Sequence, residues 1–487
     1  MKVLFVSSEA YPLIKTGGLA DVSHSLPNQL QKAGSDVRLL LPAYRDVLEK
    51  LDCIKVLGWL DTGFGTEVRV LESTHPEFDM PIWLVDHAGH FDRSGNPYTH
   101  PDGYDWPDNP QRFNQFSHAA SLLACDALKI GWRADVVHAN DWQTAMVPAY
   151  LSFEARPPKT VYTIHNIAYD CQFHYDLFQS MHMPHHWWSV GHGEFYGRFS
   201  MMKAGIIFAD HVTTVSPRYA EEICTARYGY GFAEILQANS EKLSGIINGI
   251  DTGTWNPATD PYLEANYSLK KNFNKSKIAN RKSMLSQLDA SEQTLASNAP
   301  LFGFVGRMAH QKGIDFLLDT VESIIQEHDA LFAIIGSGDH QLEQRLRELS
   351  SKYPGQVFSH IGYSEELAHL LEAGSDFFVM PSRYEPCGLN QLYSLHYGTP
   401  PIVRNTGGLA DTVINLNDDF SNTDVATGIV FNEADAAELS AAIKKALHVH
   451  ANPDVMKSLI SNGMSKDVSW DVSARDYLQL YENLRDE

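Results

Sequence analysis

The sequence has few cysteines and a deficit of positive charge, and each shortage excludes something. Cys53, Cys125, Cys171, Cys224 and Cys387 are the only five in 487 residues, and no two stand in C-x-x-C spacing. A disulfide framework and a structural zinc site are therefore unsupported. Thirty-eight Lys and Arg face 60 Asp and Glu, a formal charge of −22. That balance argues against nucleic acid or an anionic membrane as partner, although a few local cations would still serve an anionic substrate. No apolar run reaches membrane-spanning length. The first apolar segment begins at Lys2, which leaves no room for a signal or transit peptide, so the cytoplasm is the expected compartment. No D-x-D triplet occurs, so a diphosphate bridged by a protein-held metal has no support in the sequence.

What is present is a long alternation of short apolar runs with helical segments. At this length two large domains are expected rather than one core. Val3–Ser7, Val37–Leu41, Val68–Glu72, Ile82–Asp86, Val136–His138, Val161–Ile164, Val212–Val215 and Gly245–Ile247 read as strands. Most are apolar throughout rather than alternating, as in a parallel sheet covered on both faces. Residues 87 to 118, rich in Pro, Gly, Asn and aromatics, read as a long insertion and most simply as a surface loop. The irregular stretch that starts at Trp255-Asn256-Pro257 reads as a linker, and residues 261 to 299 read as polar with a Lys-rich helical segment.

Residues 375 to 411 read as strand, polar loop, helix, strand, Gly-rich turn and helix. In an open α/β sheet such loops fall at the carboxyl ends of strands, where ligands bind. The first loop holds Arg383, Glu385, Cys387, Gly388 and Leu389. The turn holds Thr406, Gly407 and Gly408 within the hexapeptide TGGLAD, and the same hexapeptide stands at Thr16 to Asp21 after the first strand. Two copies, each after a strand, point to two strand–loop–helix cradles for phosphate or sugar in a two-domain enzyme. Lys15 beside the first copy reads either as an exposed loop lysine or as substrate-facing. Arg307 and Lys312, in the Gly-flanked loop GRMAHQKG, form a candidate diphosphate clamp. Asp141 and His165 follow adjacent strands and are expected to share one crevice. Tyr363 reads as a stacking ring or as core. The histidines from 182 to 192 lack metal-ligand spacing and read as a packed loop.

The ordered series KTGGLADV (15–22), NPY (96–98), DGYDWPDN (102–109), TIHN (163–166), LSGIINGID (243–251), GRMAHQKG (306–313), PSRYEPCGL (381–389) and TGGLADTV (406–413) spans the chain. With these motifs the sequence resembles the bacterial glycogen synthase and plant starch synthase family. The resemblance implies an α/β fold of two Rossmann-like domains facing across a deep cleft, the GT-B arrangement. Residues 1–250 would form the acceptor side and 251–470 the donor side, with 471–487 a helix crossing back to the first domain. It implies a hexosyltransferase moving glucose from ADP-glucose to the non-reducing end of glycogen or another α-1,4-glucan, with retention and without metal or cofactor. Lys15 and Gly18 resemble the donor-side loop, Asp141 and His165 the surroundings of the transferred glucose, and Tyr98 and Asn248 further substrate-binding residues. Arg307 and Lys312 resemble the diphosphate pair, Glu385 the carboxylate beside the sugar, and Tyr363 the ring near adenine. Cys387, Gly388, Leu389 and Thr406 to Gly408 would line the donor pocket. The family usually reads HAHDWH where this chain reads HANDWQ, with Asn140 and Gln143 in place of histidines. A UDP- or GDP-sugar transferase on the same fold, and an inactive glucan-binding scaffold, remain the alternatives.

Overall fold

The apolar runs at the start of the chain pair side by side. They form β1 (Lys2–Val6), β2 (Asp36–Pro42), β3 (Asp52–Asp61), β4 (Glu67–Thr74), β5 (Ile82–Asp86), β6 (Val136–Asn140) and β7 (Lys159–Ile164). Short strands β8 (Gln172–Phe173), β9 (Glu194–Phe195) and β10 (Arg198–Ser200) make a separate small sheet, and β11 (His211–Thr214) and β12 (Leu243–Gly245) complete the large one. The computed structural model describes residues 1–65 and 67–486, which divide into two units. Unit 1 is Met1–Asn248 with the segment from Trp470 onward, and unit 2 is Gly249–Ser469.

The large sheet of unit 1 runs in the order β12-β11-β7-β6-β1-β2-β5-β4-β3. From β12 to β5 every pair is parallel. Val3 to Val6 and all of β6 are buried, as strands covered on both faces must be. The chain adds β2 on one side of β1, then returns to add β6 on the other. The loops after β1 and β6 therefore flank a switch point, the standard place for a ligand in such a sheet.

Three sequence expectations are corrected in unit 1. The sheet is not wholly parallel, because β3 and β4 join antiparallel. β3 was illegible because most of its residues are exposed on the sheet edge and its register shifts twice. The insertion at 87–118 is not all loop, since Asn109–Ala124 is a helix whose polar Asn109, Arg112, Asn114 and Gln115 are buried. Its polar, proline-bearing start hid it from an apolar pattern. The run expected at Gly245–Ile247 is a strand only over Leu243–Gly245.

The helix Trp470–Asp486 lies in unit 1, packed on the helix Gly18–Lys32 and on β7. Tyr477 and Tyr481 are buried. The Tyr481 hydroxyl lies 2.6 Å from His138 Nδ1, and His138 Nε2 lies 2.6 Å from Thr163 Oγ1. This buried chain ties the last helix to β6 and β7 beneath their carboxyl ends. Burial pushes the His138 imidazole down to about 3, so the ring is neutral and each nitrogen makes one bond.

Unit 2 carries β13 (Leu301–Val305), β14 (Leu331–Gly336), β15 (Val357–Ile361), β16 (Phe377–Met380), β17 (Pro401–Arg404) and β18 (Ile429–Phe431). All pairs in the order β15-β14-β13-β16-β17-β18 are parallel. Phe302, Phe304, Ile334 and Phe377 join one apolar cluster, while Leu301, Ile335, Phe378 and Met380 join another. Alternate residues thus fill opposite faces of the sheet. Its switch point lies between β13 and β16, whose following loops carry Arg307, Lys312 and Glu385.

Candidate active site

In unit 2 the loop after β13 turns through His310–Lys312 into the helix Ile314–Glu327. Lys312 Nζ donates to Glu385 Oε2 at 2.6 Å, and Ser382 Oγ donates to the same oxygen at 2.9 Å. Glu385 is 5% exposed, so its carboxylate is oriented by a cation and a hydroxyl rather than by water. Gln311 joins the two loops again: its carbonyl accepts from the Arg383 N–H at 2.8 Å, and its side chain accepts from exposed Arg307 at 3.2 Å. Arg383 makes a two-pronged pair with Asp315 at 2.6 Å on each prong. Burial raises the Asp315 carboxyl, but the bonds and charge of Arg383 outweigh it and hold the group below its ordinary value. Buried Arg404 donates to the Ser382 and Arg383 carbonyls beneath the same loop. A structure this braced holds Glu385 in one place.

The second TGGLAD does not present an open cradle. The Gly408 N–H donates to the Glu385 and Pro386 carbonyls at 3.2 and 3.1 Å, and a Cβ at Gly407, where φ is +44°, would stand 1.9 Å from the Glu385 carbonyl oxygen. The paired glycines let the turn press against the Glu385 loop. Gly336 has a similar task. A Cβ there would meet the Gly306 carbonyl at 1.8 Å, so the G-x-G after β14 serves loop packing.

In unit 1 the loop after β1 carries Glu9, which the sequence reading passed over. Glu9 is 2% exposed. Its carboxylate accepts from Thr16 Oγ1 at 2.6 Å, from the Gly17 N–H at 3.3 Å and from the Thr16 N–H. The Tyr98 hydroxyl donates to it at 2.5 Å and lies 2.7 Å from Ser8 Oγ. Burial, with Glu9 close by, holds the Tyr98 phenol well above its ordinary value. The first TGGLAD therefore meets an anion, and here that anion is Glu9. Lys15 pairs with Asp21 at 2.7 Å, and both it and Gly18 are exposed.

Asp141, just past β6, has φ +58°, a conformation rare for a residue with a side chain. Its N–H donates to the Thr163 carbonyl at 2.9 Å and its Oδ1 accepts from the His165 N–H at 3.0 Å. Asp141 thus braces the turn that carries His165. Burial pushes its carboxyl up to about 7, against the His165 and Asn166 N–H groups, which lower it. An unfolded-chain Asp titrates near about 3.9. The folded state therefore holds this proton more tightly, and stability present below about pH 4 is lost as pH rises through about 7. Asp141→Asn is expected to melt progressively higher relative to the parent as pH goes from 4.5 to 8. A difference in Tm that stays flat across that range would show that Asp141 titrates normally.

Within unit 1 the structure brings Asp141 and His165 together, and Tyr98 joins Glu9. Within unit 2 it brings together Lys312 and Glu385, with Arg307 held through Gln311 and with Cys387 and Thr406 to Gly408 alongside. Gly388 and Leu389 lead into the helix Asn390–His396, and Gly388 accepts from the Gln391 amide at 3.1 Å. Asn248 is buried, and its Oδ1 has no hydrogen-bond partner among the described residues. Tyr363 stands 79% exposed and donates to Glu365 on its own segment. Ser382 was missed as an ordinary loop serine beside Glu385, and Glu9 and Gln311 because each is one ordinary polar residue with a partner far off in sequence. Only the flanking TGG and PSRYEP hinted at them. Among the described residues no group of three or more His, Cys, Asp or Glu is arranged to hold a metal ion, and no helix is long and apolar enough to cross a membrane.

Residues 2–238 match the family described as the starch synthase catalytic domain, and residues 287–464 match glycosyl transferases group 1. The chain is 46% identical to the glycogen synthase of Hydrogenovibrio crunogenus over 488 residues, covering 99% of each chain. It is 46% identical to that of Thioalkalivibrio sulfidiphilus over 486 residues, covering 99% of this chain and 100% of the relative. Among solved structures, the catalytic domain of starch synthase IV from Arabidopsis thaliana, bound to ADP and acarbose, superposes with a TM-score of 0.87 at 30% identity, covering 100% of this chain and 99% of that one. Sucrose-phosphate synthase from Thermosynechococcus elongatus shares the fold at a TM-score of 0.60 and 18% identity, covering 99% of this chain and 98% of that one. Two Rossmann-like units, each with polar side chains gathered at a sheet switch point, define a glycosyltransferase of the GT-B class. The chain belongs to the family of bacterial glycogen synthases and starch synthases, and is a hexosyltransferase.

Proposed function

We propose that the chain transfers glucose from ADP-glucose to the non-reducing end of an α-1,4-glucan, elongating glycogen with retention at the anomeric carbon. The observation that carries this reading is the Lys312–Glu385 pair with Arg307 beside it, at the switch point of unit 2. An ammonium has three protons, and Glu385 takes one, leaving two for phosphate oxygens. As the anomeric C–O bond breaks, negative charge grows on the diphosphate, where Lys312 and Arg307 offset it. Positive charge grows on the sugar ring, which Glu385 stabilises. Front-face attack, with the leaving phosphate taking the acceptor's proton, accounts for retention without an enzyme nucleophile. Unit 2 supplies the donor side and unit 1, through Glu9, Tyr98, Asp141 and His165, the acceptor side. The names of the relatives and the ADP held by the plant starch synthase support the choice of donor. The reaction is read as metal-independent and cytoplasmic.

The test is glucose incorporation into glycogen from ADP-, UDP- and GDP-glucose in parallel, with EDTA present, for the parent and Glu385→Ala. The expected result is transfer from ADP-glucose that falls by about 100-fold or more in the variant. Transfer from another nucleotide sugar alone, or from none, would overturn the reading.

A further inference from the structure

Asn140 is the last residue of β6 and is wholly buried. Its Nδ2 donates to the Val6 carbonyl at 3.1 Å and to the His138 carbonyl at 3.3 Å. Carbonyl oxygens only accept, so the NH₂ end of this amide must face them and the orientation of the side chain is settled by its surroundings. The opposite end, Oδ1, lies 3.0 Å from His165 Nε2. An amide oxygen cannot donate, so this contact is a hydrogen bond only when Nε2 carries the proton. Packing around the His165 ring pushes it down to about 3, so at working pH the ring holds a single proton. With that proton on Nε2, Nδ1 keeps its lone pair.

We infer that Asn140 is a positioning residue: it locks His165 in the Nε2-protonated tautomer and leaves Nδ1 as an acceptor for a hydroxyl of the transferred sugar. The residue type matters. Histidine, which the family motif usually carries here, either accepts or donates at a ring nitrogen and imposes no tautomer by itself. In this chain the partner is instead an acceptor fixed by two backbone carbonyls. The sugar contact rests on the glucosyl-transfer reading, whereas the tautomer lock rests on geometry within unit 1 alone.

The experiment is ¹⁵N NMR of the full chain labelled at histidine, with His165 assigned by its loss in His165→Gln, together with steady-state kinetics. The parent is expected to show a protonated Nε2 and an unprotonated Nδ1 at His165. Asn140→Leu, close in shape but without the acceptor, is expected to shift His165 to a mixture or to the other tautomer. Its kcat with ADP-glucose should fall about tenfold with the KM for glycogen unchanged. Asn140→His keeps a polar group in the same space, and is expected to loosen the tautomer and lower kcat even if the leucine variant does not fold. A parent spectrum with Nδ1 protonated, or variants that keep both tautomer and kcat, would overturn the inference. A locked tautomer in a chain with no transfer from ADP-glucose would overturn the donor reading and its sugar contact, and leave the lock standing.

Discussion

Lys312→Ala is expected to lower kcat for glucosyl transfer from ADP-glucose by about 10²–10³-fold while the chain still folds. Two effects combine. On the proposed mechanism the variant removes one of the cations that offset the charge of the leaving diphosphate, and the nearby arginines are already engaged. Arg307 is exposed and held by Gln311, and Arg383 is committed to Asp315. The variant also leaves the buried Glu385 carboxylate with Ser382 as its side-chain donor. Losing one partner of a buried pair costs more than the pair contributes when intact, because the remaining charge is no longer compensated. Lys312→Arg should recover part of the activity, since it restores charge but places a planar fork where a point charge stood. Comparing kcat, KM for ADP-glucose and Tm separates the effects, and a Lys312→Ala enzyme within threefold of the parent would remove this residue from the chemistry.

Gly407→Ala is expected to be the most damaging methyl addition in the chain's Gly-Gly turns, whereas Gly17→Ala is expected to leave stability unchanged. The two positions are equivalent in identical hexapeptides. At Gly17 a Cβ would have nothing within 4 Å, and the backbone there is extended, with φ −156°. At Gly407 the backbone has φ +44° and a Cβ would lie 1.9 Å from the Glu385 carbonyl oxygen. Main chain cannot yield as a flexible side-chain end can, so the whole turn must move and the Glu385 loop with it. A cost of about 3 kcal/mol lowers Tm by about 6–12 °C in a unit of this size. Transfer should be lost as well, because the displaced loop carries the carboxylate. Equal Tm for the two variants would mean that the turn after β17 is looser than its contacts indicate.

These hexapeptides also illustrate how far sequence alone can be read. The parallel frame was legible, because strands such as Val3 to Val6 and Phe377 to Met380 are apolar throughout and cannot sit anywhere but inside a sheet. Arg307, Lys312 and Glu385 were legible because each stands in a glycine-marked loop after such a strand. The different tasks of the two glycine pairs were not legible. One faces the Glu9 carboxylate and the other the Glu385 carbonyl, and in each case the partner, not the hexapeptide, decides. Glu9 itself was hidden because one of its two hydroxyl donors, Tyr98, comes 89 residues later, and the other, Thr16, reads as part of the glycine turn. The helix Asn109–Ala124 was hidden by the polar side chains it buries, and β3 by the apolar ones it exposes.

The buried chain from Tyr481 to His138 and Thr163 bears on how the protein is made. Unit 1 needs the helix Trp470–Asp486, yet all of unit 2 is encoded between Asn248 and that helix. A ribosome adding about 5–20 residues per second takes about 10–40 s to cross the intervening segment. Until it has done so, the seam on β6 and β7 lacks its cover, and His138 Nδ1 has water instead of a phenol as its partner. Unit 2 can therefore finish folding before unit 1, reversing the usual order from amino to carboxyl terminus. A nascent chain shorter than about 470 residues presents a sticky surface, the kind that chaperones hold.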